Sequence, residues 1–264
     1  MLESSRLKAC LHPSPLAIRL SLRMEPLTAH DPYRPPGRFL PLKLISEDVY
    51  DHVCDNLGLR GYGDLVRHFW QEMTFDRQYG VSTREKVAVG DLDFGQAQVQ
   101  LHAAPYHPSP PFCVREGFDR LTRYLPDFEE VSFVDYGCGK GRVMILAAVA
   151  GFKEIIGLEL SSRLVAVCEE NLRRYALHGP HSARFTVLNQ NAAYYTPPPT
   201  SSVFFFFNPF DATIFRQVLQ QIDNSIRQQP RTAYLLTLGT SYGVAPEGFR
   251  LVDQVTGVSL YSNR

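Results

Sequence analysis

The chain alternates between short runs that are apolar at nearly every position and longer stretches with a helical period. Val131, Phe133 and Val134, then Ile155 to Leu160, Val203 to Phe207 and Ala233 to Leu238 are rich in β-branched and aromatic residues and read as strands. A run apolar on both faces, such as Val203 to Phe207, belongs in the middle of a parallel sheet. Arg184 to Asn189 reads as another strand. Between them, Val143 to Ala150 is apolar nearly all round, as suits a helix pressed on a sheet. Leu164, Cys168, Leu172 and Tyr175 share one helix face behind a cap at Ser161 or Ser162, with Gly179 and Pro180 as its stop. Glu169 with Arg173 and Glu170 with Arg174 have the i,i+4 spacing of outward ion pairs. Asp211 caps a helix whose stripe is Ile214, Phe215, Val218, Leu219, Ile222 and Ile226. Phe249 to Ser262 predicts two short strands around Thr256-Gly257, and the link Thr240 to Gly248 is too short for a normal helix. The alternation predicts an α/β fold: a mostly parallel sheet with an antiparallel C-terminal hairpin and helices on both faces.

Upstream the pattern is weaker. Residues 45–75 predict two helices. The first has Ser46 as cap, Val49, Val53 and Leu57 on one face and Gly58 at its end; the second carries Leu65, Phe69 and Met73 at i+4, beside Trp70. Phe75 to Lys86 has no clear period, and Pro105 to Pro111 is a proline-stiffened loop. Arg115 to Leu125 predicts a short helix with Phe118, Leu121 and Leu125 inward. Residues 1–40 are basic and then proline-rich, and read as a disordered leader or an upstream extension ahead of Met24. The expected division is therefore a leader over 1–40, a helical lid segment over 41–130 and a catalytic domain over 131–264.

With 27 basic and 27 acidic residues, the formal charge is zero, which offers no bulk attraction to nucleic acid or to a membrane surface. The five cysteines, at 10, 54, 113, 138 and 168, form no C-x-x-C pair and read as free thiols of a reducing, cytoplasmic compartment. No apolar run is long enough to span a bilayer. His102 and His107 have no acidic neighbour in the sequence, so no metal site is expected there.

The chemistry converges on Val131 to Ala148, a strand, a glycine turn and a buried helix. Such a turn exposes backbone N–H groups to a ligand. The spacing is G-x-G-x-G, and Arg142 stands where a dinucleotide fingerprint has its third glycine. The G-x-x-x-x-G-K-[ST] of a phosphate loop is absent. Asp135, just ahead of the turn, would repel a pyrophosphate and suits a ligand carrying an ammonium and a sulfonium, S-adenosylmethionine (SAM). Asp135-Tyr-Gly-Cys-Gly-Lys-Gly141 resembles motif I of the class I SAM-dependent methyltransferases. The resemblance implies a Rossmann-like methyltransferase fold with Asp135, Gly137, Cys138, Gly139 and Gly141 at the cofactor. Glu159, about twenty residues beyond the glycines, is implied as the ribose ligand. Asn191, with Ala192 beside it, stands where the superfamily often has an acid for the adenine amino group; its side-chain carbonyl can accept the same bond. Asn208-Pro209-Phe210 resembles motif IV of nitrogen methyltransferases with one proline missing, and Tyr106 joins these as a substrate-side candidate. The pairing of Phe75 to Thr83 with Tyr106 to Pro110 resembles an uncharacterised bacterial group of this class, over roughly residues 70–264.

The expected reaction moves a methyl group from SAM to an unidentified acceptor, a nitrogen of a protein side chain or a small molecule. Two other readings stay open: a non-catalytic SAM-binding module, and an NAD-dependent oxidoreductase. The second would use the Y-x-x-x-K spacing of Tyr136 and Lys140, but both fall in or beside the glycine loop instead of on a helix.

Overall fold

The computed structural model describes residues 62–94, 103–177, 182–239, 247–255 and 257–264. The expected leader, the helix expected around Ser46 to Gly58, His102, the Gly179-Pro180 stop and most of the link after the fifth strand lie outside the described residues.

Seven strands, β1 (Ser132–Tyr136), β2 (Glu154–Glu159), β3 (Arg184–Asn189), β4 (Ser202–Phe207), β5 (Ala233–Leu238), β6 (Arg250–Val255) and β7 (Val258–Ser262), form one sheet in the order β3-β2-β1-β4-β5-β7-β6. Neighbours from β3 to β5 are parallel, and β7 runs antiparallel to both β5 and β6. This is the sheet expected from the sequence, hairpin included. Strand order reverses at β1, which lies between β2 and β4. A ligand crevice is expected at the carboxyl ends of these strands.

The helices are α1 (Tyr62–Tyr79), α2 (Pro111–Leu121), α3 (Arg142–Ala150), α4 (Ser162–Leu177) and α5 (Ala212–Gln228). The period of two in the strands divides the core. Phe133, Ile155, Val203, Phe205, Tyr234 and Leu236 face one cluster, which α2, α3 and α4 cover. Val134, Ile156, Phe204, Phe206 and Leu235 face the other, covered by Phe215, Val218, Leu219 and Ile222 of α5. Asp211 caps α5 as predicted, its Oδ1 accepting from the N–H of Thr213 and Ile214. Ser161 caps α4, its Oγ accepting from the N–H of Leu164.

Four expectations need correction. β1 runs on through Asp135 to Tyr136, past the apolar residues Val131, Phe133 and Val134 that announce it. α2 starts at Pro111 and stops at Leu121, because prolines fit the first turn of a helix, and Leu125 beyond it is only half-buried. Arg173 pairs with Glu170, which it shares with Arg174, not with Glu169. On α1, Met73 is 57% exposed, and the inward face is Leu65, His68, Gln71, Phe75 and Tyr79. Phe75 and Tyr79 of this face join the main apolar cluster, and beside them two arginines beneath the helix find acceptors on it, Arg115 donating to Gln71 Oε1 at 2.7 Å and Arg142 to Glu72 at 2.8 Å.

Candidate active site

The turn after β1 is shaped by what crosses it. At Gly137 (φ +80°) a Cβ would lie 2.5 Å from the Cβ of Pro209, so the β1 and β4 loops can pack only with glycine there. At Gly139 (φ +53°) it would lie 2.3 Å from the ring of Tyr106. Gly141 abuts Cys168 on α4. We expect Gly139→Ala to displace the Tyr106 ring and to cost about 1–3 kcal/mol of stability, read from denaturation midpoints. Tyr106→Ala should relieve part of that cost in the double variant.

Beside this turn, at the carboxyl ends of β1, β2 and β4, lies a cavity of about 360 Å³. Asp135, Gly137, Cys138, Glu159, Asn191, Ala192, Tyr106, Asn208, Pro209 and Phe210 all line it. Gly139 and Gly141 do not; they serve packing and backbone direction behind the wall.

Glu159 ends β2 with its carboxylate held by three backbone donors. Oε1 accepts from Leu160 (2.8 Å) and Ser161 (2.9 Å), and Oε2 accepts from Gly139 (3.0 Å). Burial raises its pKa, and the three N–H bonds oppose that rise. Oε1 already takes two bonds, so it is Oε2, with one, that keeps accepting capacity for a ligand hydroxyl. Asp135 differs: its Oδ2 is buried and has no hydrogen-bond partner. Burial, and then the charge of Glu159, push its pKa up to about 8. A buried acceptor left unpaired costs free energy that a donor in the cavity would recover.

Asn191 turns its Oδ1 to the N–H of Ala193 at 2.9 Å and caps the 3-10 turn Ala192–Tyr194. Tyr194 of that turn is 82% exposed while it also lines the cavity. Asn208 sits at φ +43°, a conformation asparagine tolerates better than most residues. Its side chain lies where a Cβ on Gly239 would be, so a glycine at the end of β5 makes room for it.

Tyr106 gives the cavity its ring and not its hydroxyl. The Oη donates to the carbonyl of Thr83 at 2.7 Å, and burial raises its pKa. The backbone around it forms a roof: Tyr106 bridges to Val87, and Ala103 bridges to Phe210. Sequence reasoning missed Leu92, Phe94, Gln190 and Tyr194 in the wall. Leu92 and Phe94 lie in a stretch without period, so no local signal marked them.

The segment Phe75 to Lys86 holds the outer side of the glycine turn. Asp76 accepts from the N–H and hydroxyl of Thr83 and the N–H of Arg84. Asn171 of α4 bonds Ser82 through both N–H and C=O and also donates to the carbonyl of Lys140. Lys140 donates to the carbonyl of Glu85 at 2.8 Å. Arg142, where a dinucleotide motif has glycine, is 2% exposed; it donates to Glu72, Thr83 Oγ1 and the Ser109 carbonyl. Tyr136, the other half of the Y-x-x-x-K spacing, stacks on Phe206 in the opposite cluster, and its hydroxyl finds no partner there. That pair does not meet at the cavity.

No protein-family model matches the chain, and no curated protein does. Among solved structures, the chain is similar to a putative methylase from Haemophilus influenzae, with 21% identity over 55% of this chain and 87% of that one and a TM-score of 0.43. It is similar to an rRNA methyltransferase from Streptomyces viridochromogenes, with 13% identity over 69% and 94% and a TM-score of 0.44. A magnesium protoporphyrin IX methyltransferase from Synechocystis, solved with bound SAM, shares 15% identity over 77% and 97% with a TM-score of 0.39.

Proposed function

We propose that this protein is a SAM-dependent methyltransferase whose acceptor is a nitrogen of a protein side chain or a small molecule. The observation that carries the reading is the buried, unpartnered oxygen of Asp135 in the cavity wall, with the Glu159 carboxylate on the neighbouring strand. The Glu159 carboxylate repels a pyrophosphate, and Asp135, on giving up its proton, pairs with the ammonium of SAM. The cavity volume falls in the range of small-ligand sites. SAM, when bound, supplies a methyl group on a sulfonium leaving group.

In this reading Asp135 takes the ammonium, Glu159 the ribose hydroxyls and Asn191, beside Ala192, the adenine edge. Asn208 and the carbonyls around Pro209 accept from the acceptor's N–H groups and so aim its lone pair, while the Phe210 ring packs on its plane. Tyr106 walls the site and excludes water. The chain's contribution is therefore orientation and desolvation. Residues 131–264 form the catalytic domain and 41–130 its cover. The buried thiols Cys113, Cys138 and Cys168 fit a reducing, cytoplasmic setting. No described helix is long and apolar enough to cross a membrane.

Calorimetric titration of the full chain with SAM, S-adenosylhomocysteine and NAD tests this. Binding of both sulfur ligands and not NAD is expected. A folded protein that binds NAD, or none of the three, overturns the reading; SAM binding without turnover on amine, amide and phenol acceptors favours the non-catalytic module.

A further inference from the structure

The stretch from Val87 to Phe94 reaches the cavity at Leu92 and Phe94 without joining the apolar clusters of the sheet. Leu92 is buried and Phe94 half-buried. Ala88, Gly90, Asp91 and Asp93 are exposed. One end of the stretch is tied to the roof by the paired backbone bonds between Val87 and Tyr106, at 3.1 and 2.9 Å.

The other end is tied by Asp93 to the first turn of α4. Its Oδ1 accepts from Ser161 Oγ at 2.6 Å and from the N–H of Arg163 at 3.0 Å, and its Oδ2 accepts from Ser162 Oγ. The Arg163 guanidinium returns a bond to the carbonyl of Asp91 at 2.9 Å. A carboxylate brought from a distant segment thus caps a helix whose own first N–H groups need acceptors. Ser161 is shared: its hydroxyl serves Asp93 while its N–H serves Glu159 Oε1.

We propose that Asp93 is a positioning residue, a latch that seats Leu92 and Phe94 over the cofactor and, through Ser161, holds Glu159 at the ribose. Residues 87–94 are then the lid that leaves and returns at each cofactor exchange. The inference rests on the SAM reading above. Its physical basis is the contrast between the two halves of the lid. The tie faces solvent at Ser162 and Arg163, where water can replace its bonds, and only its bond to Ser161 is part-buried, while the side chains over the cavity join no larger apolar cluster.

The test uses the full chain and the substitutions Asp93→Asn and Ser162→Ala. Stopped-flow measurement of SAM release is expected to show dissociation about tenfold faster in Asp93→Asn, with association little changed. Ser162→Ala should move the same rate in the same direction by less, and should add little in the double variant. Amide exchange should quicken over 89–94 and stay unchanged in β1 and α3, which a general loss of stability would not do. A wild-type release rate in Asp93→Asn overturns the latch. If the wild type binds no SAM, the cofactor reading falls. The latch is then decided by exchange alone: unchanged protection of 89–94 in Asp93→Asn, or in Ser162→Ala should the first variant not fold, overturns it.

Discussion

Glu72→Ala is expected to destabilise the protein by about 3–5 kcal/mol, more than replacing its partner Arg142. Both oxygens of Glu72 accept from Arg142 Nη1 at 2.8 Å. Arg142 is 2% exposed, whereas Glu72 is 22% exposed. Once Glu72 is removed, the guanidinium keeps Thr83 Oγ1, a 3.3 Å contact to the Ser109 carbonyl, the face of Phe75 and Asp76 at 3.9 Å. Of these only Asp76 carries a negative charge, at the limit of ion-pair distance and without a hydrogen bond to the guanidinium, and Nη2 lacks a hydrogen-bond partner. Arg142→Met removes the cation, keeps an apolar stem against Phe75, and leaves a carboxylate that can turn to water. Its expected cost is about 1–3 kcal/mol. The pair Glu72→Leu with Arg142→Met should recover part of the loss of Glu72→Ala. Urea denaturation of the four proteins checks the order. Should Arg142→Met cost more than Glu72→Ala, Arg142 holds α1 through its packing and not through its charge.

The affinity for SAM is expected to rise with pH up to about 8. In the free protein Asp135 is held protonated below that value, first by burial and then by the charge of Glu159. Pairing with an ammonium requires the carboxylate, so binding must expel the proton. Each pH unit below 8 then weakens binding by up to about tenfold. Above 8 the ligand's own amino group loses its proton and affinity falls again. Asp135→Asn should bind at least about tenfold more weakly near pH 8 and lose the acid limb of the profile. The free protein supplies a check of opposite sign. A carboxyl whose folded pKa lies above its unfolded value contributes stability that is fully present below about pH 4 and is lost as pH rises through about 8. Thermal melts of the ligand-free wild type should decline across that window relative to Asp135→Asn, and saturating SAM should reverse the trend. A SAM affinity independent of pH between 6 and 8 would remove Asp135 from the ammonium site.

Much of the fold can be read along the chain because burial imposes a local period. Phe204 and Phe206 face one cluster, Val203 and Phe205 the other, and an unbroken apolar run is what a strand covered on both sides must show. The glycine turn, the Asp211 cap and the C-terminal hairpin are likewise local: each depends on residues within a few positions of itself.

What only the tertiary structure decided is which distant groups satisfy the polar residues. Arg142 breaks the dinucleotide spacing at a position that looks incidental, and its reason lies in Glu72 and Thr83, brought in from α1 and the stretch after it. Gly139 reads as a ligand-contacting glycine, but the group that demands it is the ring of Tyr106. Asp93 carries no signal at all until α4 presents Ser161, Ser162 and Arg163 to it. Apolar residues announce the face they bury through their own spacing, since any apolar neighbour will do. A buried charge or an unpaired oxygen needs one partner in one geometry, and that partner's distance along the chain is set by the fold alone.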